Sequence, residues 1–420
     1  MAKYKIIGNM TGNSMDAIDL VLTEFDGDKI TDIATYSKPY DATMQQRMAN
    51  LRRQAYNKTA AEIRQLPEFQ SLHNDYITQI ATCINNLCRQ NNIDKNTISA
   101  IGFHGKTLDH NPPSKARSEN TQPYTLQIGS GQMLADLTQI PVVYDFRSDF
   151  IMAGFEGAPL VAPHNAHIAA NIGNGCYYNG GNTANFALIQ NGIAQISADA
   201  GPFNEYTDAF IRQYTDYAYD KNGMFGRKGQ LNQQLLQKIY DCGRRFYETP
   251  LPKSGDPAYY HQDEIFAYSK KNNIPFNDAV HTFEYAAAYI AALALTLVPN
   301  NIPFPSHYVL FGGGWKNPIV YQSFAQLLQG YGYILPEHAH AFALLQKRIT
   351  QPVKINLSTF GDYMEARLMA DLARFRLENK PWPLPETIAA AQNIVCGIIA
   401  TPKPRQKSYT DCLSRAAKGW

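Results

Sequence analysis

Two short glycine turns in this sequence carry residue types that can bind phosphate. Residues 12–14 (Gly-Asn-Ser) and residues 181–183 (Gly-Asn-Thr) each precede an apolar segment. Glycine allows backbone N–H groups to approach phosphate oxygens closely, and the neighbouring hydroxyl adds a hydrogen-bond donor. Two such turns that face each other would hold the β- and γ-phosphates of a nucleotide from both sides.

Two carboxylates, Asp16 and Asp19, follow the first of these turns. Mg²⁺ prefers oxygen ligands and retains several waters, so a carboxylate beside bound phosphates is typical of a magnesium–nucleotide site. An Asp in a turn can equally cap that turn by hydrogen bonding to nearby backbone N–H groups. The residues leave both interpretations of Asp16 open.

Asp199 lies after a predicted strand and two residues before a Gly201-Pro202 pair that opens a predicted helix. A carboxylate at the carboxyl end of a strand, beside a glycine turn, is well placed to act as a general base. The alternative is a structural role, as a helix cap or in an Asx turn.

A run of three glycines, Gly312, Gly313 and Gly314, follows the strand-like segment HYVLF. Without side chains, the backbone can pass close to a flat ligand. In a two-lobed enzyme that uses a nucleotide, this ligand would be the adenosine. The alternative is a tight loop that only connects a strand to a helix.

A second glycine pattern favours a dinucleotide cofactor only weakly. Residues 129–134 (GSGQML) follow a predicted strand and open a predicted helix, but Leu134 stands where the third glycine of the fingerprint is expected. We find no acidic residue in a clear second-strand position, and the Walker pattern GxxxxGK[ST] is absent from the sequence.

The sequence gives little support to a metal cluster or to hydrolase chemistry. His338 and His340 are two residues apart, a spacing that does not place them on one face of a helix. Cys83 and Cys88 are predicted to lie on a helix, with one of them largely buried. Ser14 has no adjacent His and no nucleophile-elbow sequence, which argues against a serine hydrolase.

Composition indicates a packed, two-domain globular enzyme. The chain has 420 residues, of which 45% are hydrophobic and 18% charged, and its formal charge is +2. Lys and Arg are scattered, so no nucleic-acid partner is expected. Six cysteines without CxxC spacing suit a reducing compartment, the start of the sequence lacks a signal-peptide pattern, and we predict a cytoplasmic protein. The longest apolar stretch, residues 285–298, is too short to span a bilayer, so we expect a buried helix and no membrane association.

The elements that must position these residues alternate between strands and helices, which predicts an α/β fold. Strands are expected at the start of the chain, around residues 100–103, 125–128 and 141–146, and again on both sides of the second glycine turn. The Asp26-Gly27 pair between two apolar segments predicts a hairpin. Helices are expected over residues 42–92, 205–247, 278–297 and 363–379. Each glycine turn precedes a strand, a turn and another strand, an internal similarity that suggests a duplicated lobe unless it arises by chance.

A set of segments, taken in order, resembles the anhydro-N-acetylmuramic acid kinases. The segments are GNMTGNSMDAID, HGKT, TLQIGSG, DFR, GAPLV, GGNTAN, DAGPFN, GGGWKNP and GDYMEA, and together the similarity covers about residues 5–385. The family belongs to the superfamily of actin, sugar kinases and heat-shock chaperone ATPases. The resemblance therefore implies a two-lobed, ribonuclease H-like α/β fold with a cleft between the lobes. The expected first lobe is residues 1–172 plus 361–420, and the second is residues 173–360.

The resemblance also implies the reaction and its residues. Such an enzyme uses ATP, Mg²⁺ and water to open the 1,6-anhydro ring and phosphorylate O6 of the sugar, with Asp199 as the base that activates water. The implied nucleotide-binding residues are Gly12, Asn13, Ser14, Met15, Asp16, Ala17, Ile18, Asp19, Asn182, Thr183, Asn185, Gly312, Gly313, Gly314 and Asn317, with Asp16 at the metal. The implied sugar-binding residues are His104, Arg147, Pro159, Leu160 and Glu365. A homodimer is the implied assembly.

Several positions depart from the family pattern, and they lie near the expected cleft. Asn13, Ala17 and Phe203 replace Thr, Gly and Gly, and Lys106 and Glu156 each replace Gln. The second phosphate turn also differs from the usual Gly-Gly-Ile-Ala-Asn. These departures keep two alternatives open: a nucleotide-binding homologue with weakened catalysis, and a kinase for a different amino sugar.

Overall fold

The computed structural model describes residues 3–11, 17–55, 58–113, 122–158, 160–253, 260–350, 353–357, 363–384 and 393–404, without the side chains of residues 169–172. The described strands are β1 (Lys3–Met10), β2 (Ala17–Asp26), β3 (Lys29–Pro39), β4 (Ala100–Phe103), β5 (Lys106–Asn111), β6 (Tyr124–Ile128), β7 (Val142–Tyr144), β8 (Gly175–Gly180), β9 (Thr183–Gln190), β10 (Ile193–Pro202), β11 (His307–Phe311), β12 (Lys354–Leu357) and β13 (Ile398–Ala400). The described α-helices are α1 (Ala42–Ala55), α2 (Ala60–Arg64), α3 (Pro67–Gln90), α4 (Gly131–Thr138), α5 (Ser148–Met152), α6 (Ala162–Ile172), α7 (Glu205–Tyr214), α8 (Gln233–Tyr247), α9 (Gln262–Lys271), α10 (Phe276–Thr296), α11 (Pro318–Gln329), α12 (Ala339–Arg348) and α13 (Met364–Leu377).

Two mixed sheets form the framework and share the order of five strands; the first sheet has β13 as a sixth strand, antiparallel to β7. The first has the order β13-β7-β4-β1-β2-β3, and the second has the order β10-β9-β8-β11-β12. In each sheet, an antiparallel three-strand meander is followed by two strands parallel to its first strand. The predicted α/β class with two sheets is confirmed, and the shared order accounts for the weak internal similarity of the sequence.

Local chemistry explains several of these elements. The turn between β2 and β3 places Gly27 at φ 62°, a conformation that suits the tight hairpin turn predicted from the Asp26-Gly27 pair. Helix α3 starts with Pro67 at its first turn, where the missing N–H costs no hydrogen bond. Helix α10 is buried on nearly every side and packs in the core of the second sheet's layer. No helix among the described residues is long and apolar enough to cross a membrane.

Helix α13 packs unusually closely on the first sheet. A Cβ atom built on Gly8 would lie 1.8 Å from the carbonyl oxygen of Ala366, and one on Gly102 would lie 2.0 Å from that of Met369. Any larger side chain at either strand position would therefore push the helix away from β1 and β4. This contact sets the position of Glu365 in the first turn of α13.

The sequence missed several elements. Strand β5 was not predicted; five of its six residues are polar, and it pairs with β6 in a separate two-stranded sheet. Strand β13 was not predicted either, yet it pairs with β7 at the edge of the first sheet. The partner of β13 is distant in sequence, which local patterns do not report. Strand β5 lacks the alternation of apolar and polar residues that predicts a strand. Cys83 and Cys88 are both buried, whereas only one was expected to be.

Candidate active site

A row of polar side chains crosses the second sheet. Asp199 on β10 lies opposite Asn185 on β9, and Asn185 lies opposite Asn179 on β8. Residues directly opposite one another in a sheet project to the same face, so the three side chains form a continuous strip. Asn179 continues this strip to α13, because its Nδ2 atom lies 3.5 Å from Oε1 of Glu365.

Asp199 occupies an irregular point of its strand. The prediction placed it after a strand, but β10 continues through Pro202, and the register shifts between Asp199 and Gly201. The backbone N–H of Asp199 donates to the carbonyl oxygen of Lys253 at 2.9 Å. Irregularities of this kind re-aim a side chain relative to the rest of its strand.

His104 and Arg147 meet at one edge of the first sheet. His104 follows β4 and Arg147 follows β7, two parallel neighbours whose carboxyl ends share an edge. Arg147 donates from Nε to Nε2 of His104 at 3.0 Å and from Nη1 to the carbonyl of Gly157 at 2.8 Å. Nδ1 of His104 lies 2.9 Å from the Gly105 carbonyl, so Nδ1 carries the proton and Nε2 accepts.

These contacts keep the imidazole neutral. Burial and then the Arg147 charge lower the pKa of His104 to about 3. Burial lowers the pKa of Arg147, and the carboxylates of Asp199 and Glu365 act in the opposite direction. Arg147 therefore faces carboxylates contributed by both the second sheet and α13.

Glu365, in the first turn of α13, is the carboxylate that the third element contributes. Glu365 is exposed to solvent as a residue. The protein atoms around its carboxyl group still remove enough water to raise the pKa of that group. The charge of Asp19 acts in the same direction, while the Asn179 hydrogen bond and the charges of Arg147 and Lys106 lower it. Glu365 therefore lies among charges of both signs.

The three-glycine loop fits tightly against the end of β8. Gly312 has φ 97°, and a Cβ atom there would lie 2.6 Å from Oδ1 of Asn179. A Cβ on Gly314 would lie 2.3 Å from Oδ1 of Asn204, whereas Gly313 has no atom within 4 Å of such a Cβ. The loop therefore presents open backbone at Gly313 and close packing at the two flanking glycines.

The side chain of Phe203, which replaces a family glycine near Asp199, packs into the core. Its ring is buried, with its centroid 4.6 Å from that of Trp315. Cβ atoms built on Gly180 and Gly314 would both touch this ring. Phe203 thus supports the glycine loop from the core side.

Comparison with known protein families identifies the family to which this chain belongs. The family model described as "Anhydro-N-acetylmuramic acid kinase" matches residues 4–402, nearly the whole chain. The chain belongs to the anhydro-N-acetylmuramic acid kinase family. It is therefore a sugar kinase, as the sequence predicted.

Solved structures similar to this family member are more distant. They include component A of (R)-2-hydroxyglutaryl-CoA dehydratase from Acidaminococcus fermentans, at 11% identity and TM-score 0.41, covering 90% of this chain and 100% of that chain. A ROK family glucokinase from Streptomyces griseus, in complex with glucose and AMPPNP, has 12% identity and TM-score 0.38, covering 88% and 99%. A ROK hexokinase from Thermus thermophilus has 12% identity and TM-score 0.34, covering 87% and 97%. Membership in the kinase family rests on the family model and not on these likenesses.

The second glycine turn is held from both sides. The carbonyl oxygen of Asn182 accepts the N–H of Phe203 at 2.7 Å, and the Thr183 hydroxyl lies 3.2 Å from that of Tyr260. Oδ1 of Asn185 is buried and lacks a hydrogen-bond partner among the described residues. An orphaned acceptor at this point suits a ligand that donates hydrogen bonds, such as a bound water.

The side chain of Asn317 is already used within the protein. Its Oδ1 atom accepts the N–H of Ile319 at 3.0 Å and so caps α11, while Nδ2 donates to Oε1 of Glu284 at 2.5 Å. Burial and then the neighbouring Asp220 raise the pKa of Glu284 to about 9. Asn317 therefore shapes the start of α11.

The first nucleotide segment is described only in part. Ala17 and Ile18 open β2, and the Ile18 side chain is buried in the core of the first sheet's layer. Asp19 lies on the same strand, where its Oδ1 atom accepts a hydrogen bond from the Ser37 hydroxyl at 2.7 Å.

On the implied sugar side, Leu160 is buried, and its carbonyl accepts a hydrogen bond from Nε1–H of Trp382 at 2.9 Å. Six predicted residues lie outside the described residues: Gly12, Asn13, Ser14, Met15, Asp16 and Pro159.

A histidine–carboxylate cluster was not anticipated from the sequence. Nδ1 of His164 lies 2.9 Å, and Nδ1 of His167 lies 2.6 Å, from the same Oδ2 atom of Asp371. These groups could hold a metal ion by their types, but Arg374 occupies the other carboxylate oxygen at 3.0 Å. We interpret the cluster as a structural charge network that ties α6 to α13. The His-x-x-His spacing on α6 is the signal that could have identified it.

Proposed function

We propose that this sugar kinase uses ATP and water to open the 1,6-anhydro ring of anhydro-N-acetylmuramic acid and to phosphorylate O6. The products are N-acetylmuramic acid 6-phosphate and ADP, and the corresponding role is the recycling of cell-wall peptidoglycan. The observation that carries the proposal is the position of Asp199. Its carboxylate belongs to a polar strip that reaches Glu365, and its charge acts on Arg147 from the other sheet.

In the proposed reaction, Asp199 accepts a proton from a water molecule as that water attacks C1 of the sugar. The C1–O6 bond breaks, the water oxygen stays on C1, and O6 carries the released electron pair. O6 then attacks the γ-phosphorus of ATP and ADP leaves, after which Asp199 loses its proton to solvent. A positioned base contributes roughly 10²–10⁴-fold in such reactions, and in-line placement of O6 supplies much of the rest.

On the sugar side we assign His104, Arg147 and Glu365, together with Leu160 through its backbone and Pro159 by its position in the family pattern. A neutral His104 can accept a hydrogen bond only at Nε2, and that atom already accepts the hydrogen bond from Nε of Arg147. Arg147 is thereby held in one orientation toward the two carboxylates. This preorganisation favours a fixed electrostatic environment in the cleft.

On the nucleotide side we assign residues 12–19, with Asn182, Thr183, Asn185, the three-glycine loop and the backbone near Asn317. Mg²⁺, when bound, would neutralise phosphate charge, with Asp16 as the proposed ligand. Among the described residues of this segment, Asp19 supplies a carboxylate of the kind a hydrated cation prefers, and its charge acts on Glu365.

The proposed lobes are residues 1–172 plus 361–420, and residues 173–360. The strands of the first sheet come from residues 3–144 and 398–400, and those of the second from residues 175–357. We extend the proposal to a cytoplasmic homodimer on the family membership alone, and light scattering of the purified protein tests the dimer.

Release of ADP with a panel of sugars tests the proposed substrate. The purified protein is mixed with ATP and Mg²⁺, and anhydro-N-acetylmuramic acid, N-acetylmuramic acid and N-acetylglucosamine are compared. We expect strong stimulation by the anhydro sugar alone. Stimulation only by another sugar would identify a kinase with altered specificity. ATP binding without stimulation by any sugar would identify a homologue that no longer turns over.

A further inference from the structure

Lys253 is a charged side chain in an unusual place. It is 7% exposed, although buried lysines are rare unless their charge is compensated. Burial lowers the pKa of its ammonium group to about 8, and the carboxylate of Asp199 opposes that shift. The proposed catalytic mechanism does not use this group.

Lys253 closes the end of α8. Its Nζ atom donates to the carbonyl oxygens of Phe246 and Tyr247, each at 2.9 Å, and lies 4.6 Å from the centroid of the Phe246 ring. Carbonyls in the last turn of a helix have no partner within the helix, and a cation there is also favoured by the helix dipole. These contacts fix the segment around Lys253 to α8.

The backbone of Lys253 in turn holds Asp199. Strand β10 is an outer strand of its sheet, and its register shifts between Asp199 and Gly201. At that shift, the N–H of Asp199 donates to the Lys253 carbonyl at 2.9 Å. A Cβ built on Gly201 would lie 3.1 Å from the Tyr247 ring, so the end of α8 packs against the same stretch of β10.

We infer that Lys253 is a positioning residue for Asp199, because its side chain anchors its own segment to α8 while its carbonyl fixes the Asp199 backbone. Its ammonium charge also favours the ionised carboxylate of Asp199. The structural part of this inference stands on the contacts alone, and the catalytic consequence rests on the proposed function.

Hydrogen exchange of the Asp199 amide tests the structural part without any substrate. We compare the wild type with Lys253→Met, Lys253→Arg and the control Lys271→Met, whose lysine is exposed on α9. Exchange in peptides that include residues 196–202 should accelerate by about tenfold or more in Lys253→Met, less in Lys253→Arg, and not in the control. Unchanged exchange in a folded Lys253→Met protein would overturn the inference. If Lys253→Met does not fold, Lys253→Arg replaces it in the test. Exchange in Lys253→Arg that accelerates equally over the whole chain, and not mainly in residues 196–202, would then overturn the inference.

Kinetics test the catalytic part. In Lys253→Met, kcat for sugar-dependent ADP release should fall by about ten- to a hundredfold while KM for ATP changes little. The acidic limb of the kcat–pH profile should move to higher pH, and it should stay near the wild-type position in Lys253→Arg. A lower folded fraction alone would reduce activity without moving that limb, and this result would contradict the positioning role. A wild-type protein without sugar-dependent activity would refute the proposed function instead, and hydrogen exchange would still decide the role of Lys253.

Discussion

At the scale of the residue, the site depends on a few side chains, and the hydrogen bonds and charges around each one restrict what it can do. His104 accepts from Arg147, and Arg147 in turn faces Asp199 and Glu365. Asp199 was identified from its position near the end of a strand and from the family pattern. Its opposition to Asn185 and its bond to Lys253 could not be predicted, because strand register and edge contacts depend on the folded sheet.

Replacement of Asp199 by Asn tests the proposed base. The amide keeps the shape of the carboxylate but cannot accept a proton from water, so we expect kcat to fall by about 10²–10⁴-fold. ATP affinity should stay within about twofold of the wild type. Steady-state ADP release and calorimetric ATP binding measure the two effects, with Asp216→Asn, an exposed position, as the matched control. Turnover equal to the wild type would remove Asp199 from the mechanism.

The buried imidazole of His104 predicts a loss of stability in acid. Its pKa is about 3 in the folded protein, below the ordinary value of 6.5. The neutral form's contribution is therefore complete above about pH 6.5, and it is lost as the pH falls from there toward 3. Between about pH 7 and pH 5, His104→Gln should lose about 2 kcal/mol less of its free energy of unfolding than the wild type. Urea titrations at the two pH values measure this difference, and equal losses would contradict the assigned neutral state.

At the scale of the element, the sequence predicted the parts with strong local signals. The β2–β3 hairpin and the apolar helix α10 were both predicted, because a glycine turn and a long apolar run are local features. Strand β13 was missed because its pairing partner is distant in sequence, and β5 because it lacks the alternation of apolar and polar residues. The sequence places Phe203 close to Asp199, and only the folded structure shows that its ring packs against Trp315 in the core.

The contact between α13 and the first sheet predicts a sharp size limit at Gly102. A methyl group there would overlap the Met369 carbonyl, which belongs to the helix backbone and cannot rotate away. We expect Gly102→Ala to lower the free energy of unfolding by about 1–3 kcal/mol. Because α13 carries Glu365, sugar-dependent turnover should fall as well. Thermal melts and ADP release measure both effects, and wild-type stability would contradict the close packing described here.

At the scale of the whole molecule, residues distant in sequence meet in one cleft. His104 and Arg147 come from one sheet, Asp199 from the other, and Glu365 from a helix near the end of the chain. Spacing in the sequence gives no indication that they converge. The family resemblance was the guide to their grouping.

The Asp371 network predicts how firmly α6 and α13 are joined. Burial alone would raise the pKa of Asp371, but the charge of His167 and hydrogen bonds from both imidazoles hold it well below its ordinary value. Asp371→Asn leaves His164, His167 and Arg374 without their carboxylate, so the free energy of unfolding should fall by about 3–5 kcal/mol.

The same network contributes stability above the ordinary pKa of an aspartate and loses it as the pH falls toward the depressed value. The Asp371→Asn variant should therefore show a weaker loss of stability in acid than the wild type. Urea titrations at about pH 7 and about pH 2.5, the second of which lies below the ordinary aspartate pKa, measure both effects, with Asp263→Asn as an exposed control. A variant as stable as the control would show that the network does not join the helices.

The most direct test of the account is the identity and amount of the sugar product. The wild-type protein is incubated with ATP, Mg²⁺ and anhydro-N-acetylmuramic acid, and the mixture is analysed by mass spectrometry with ADP measured in parallel. We predict one N-acetylmuramic acid 6-phosphate for each ADP, and no free phosphate above background. ADP that accumulates with inorganic phosphate while the anhydro sugar remains intact would contradict the proposed reaction.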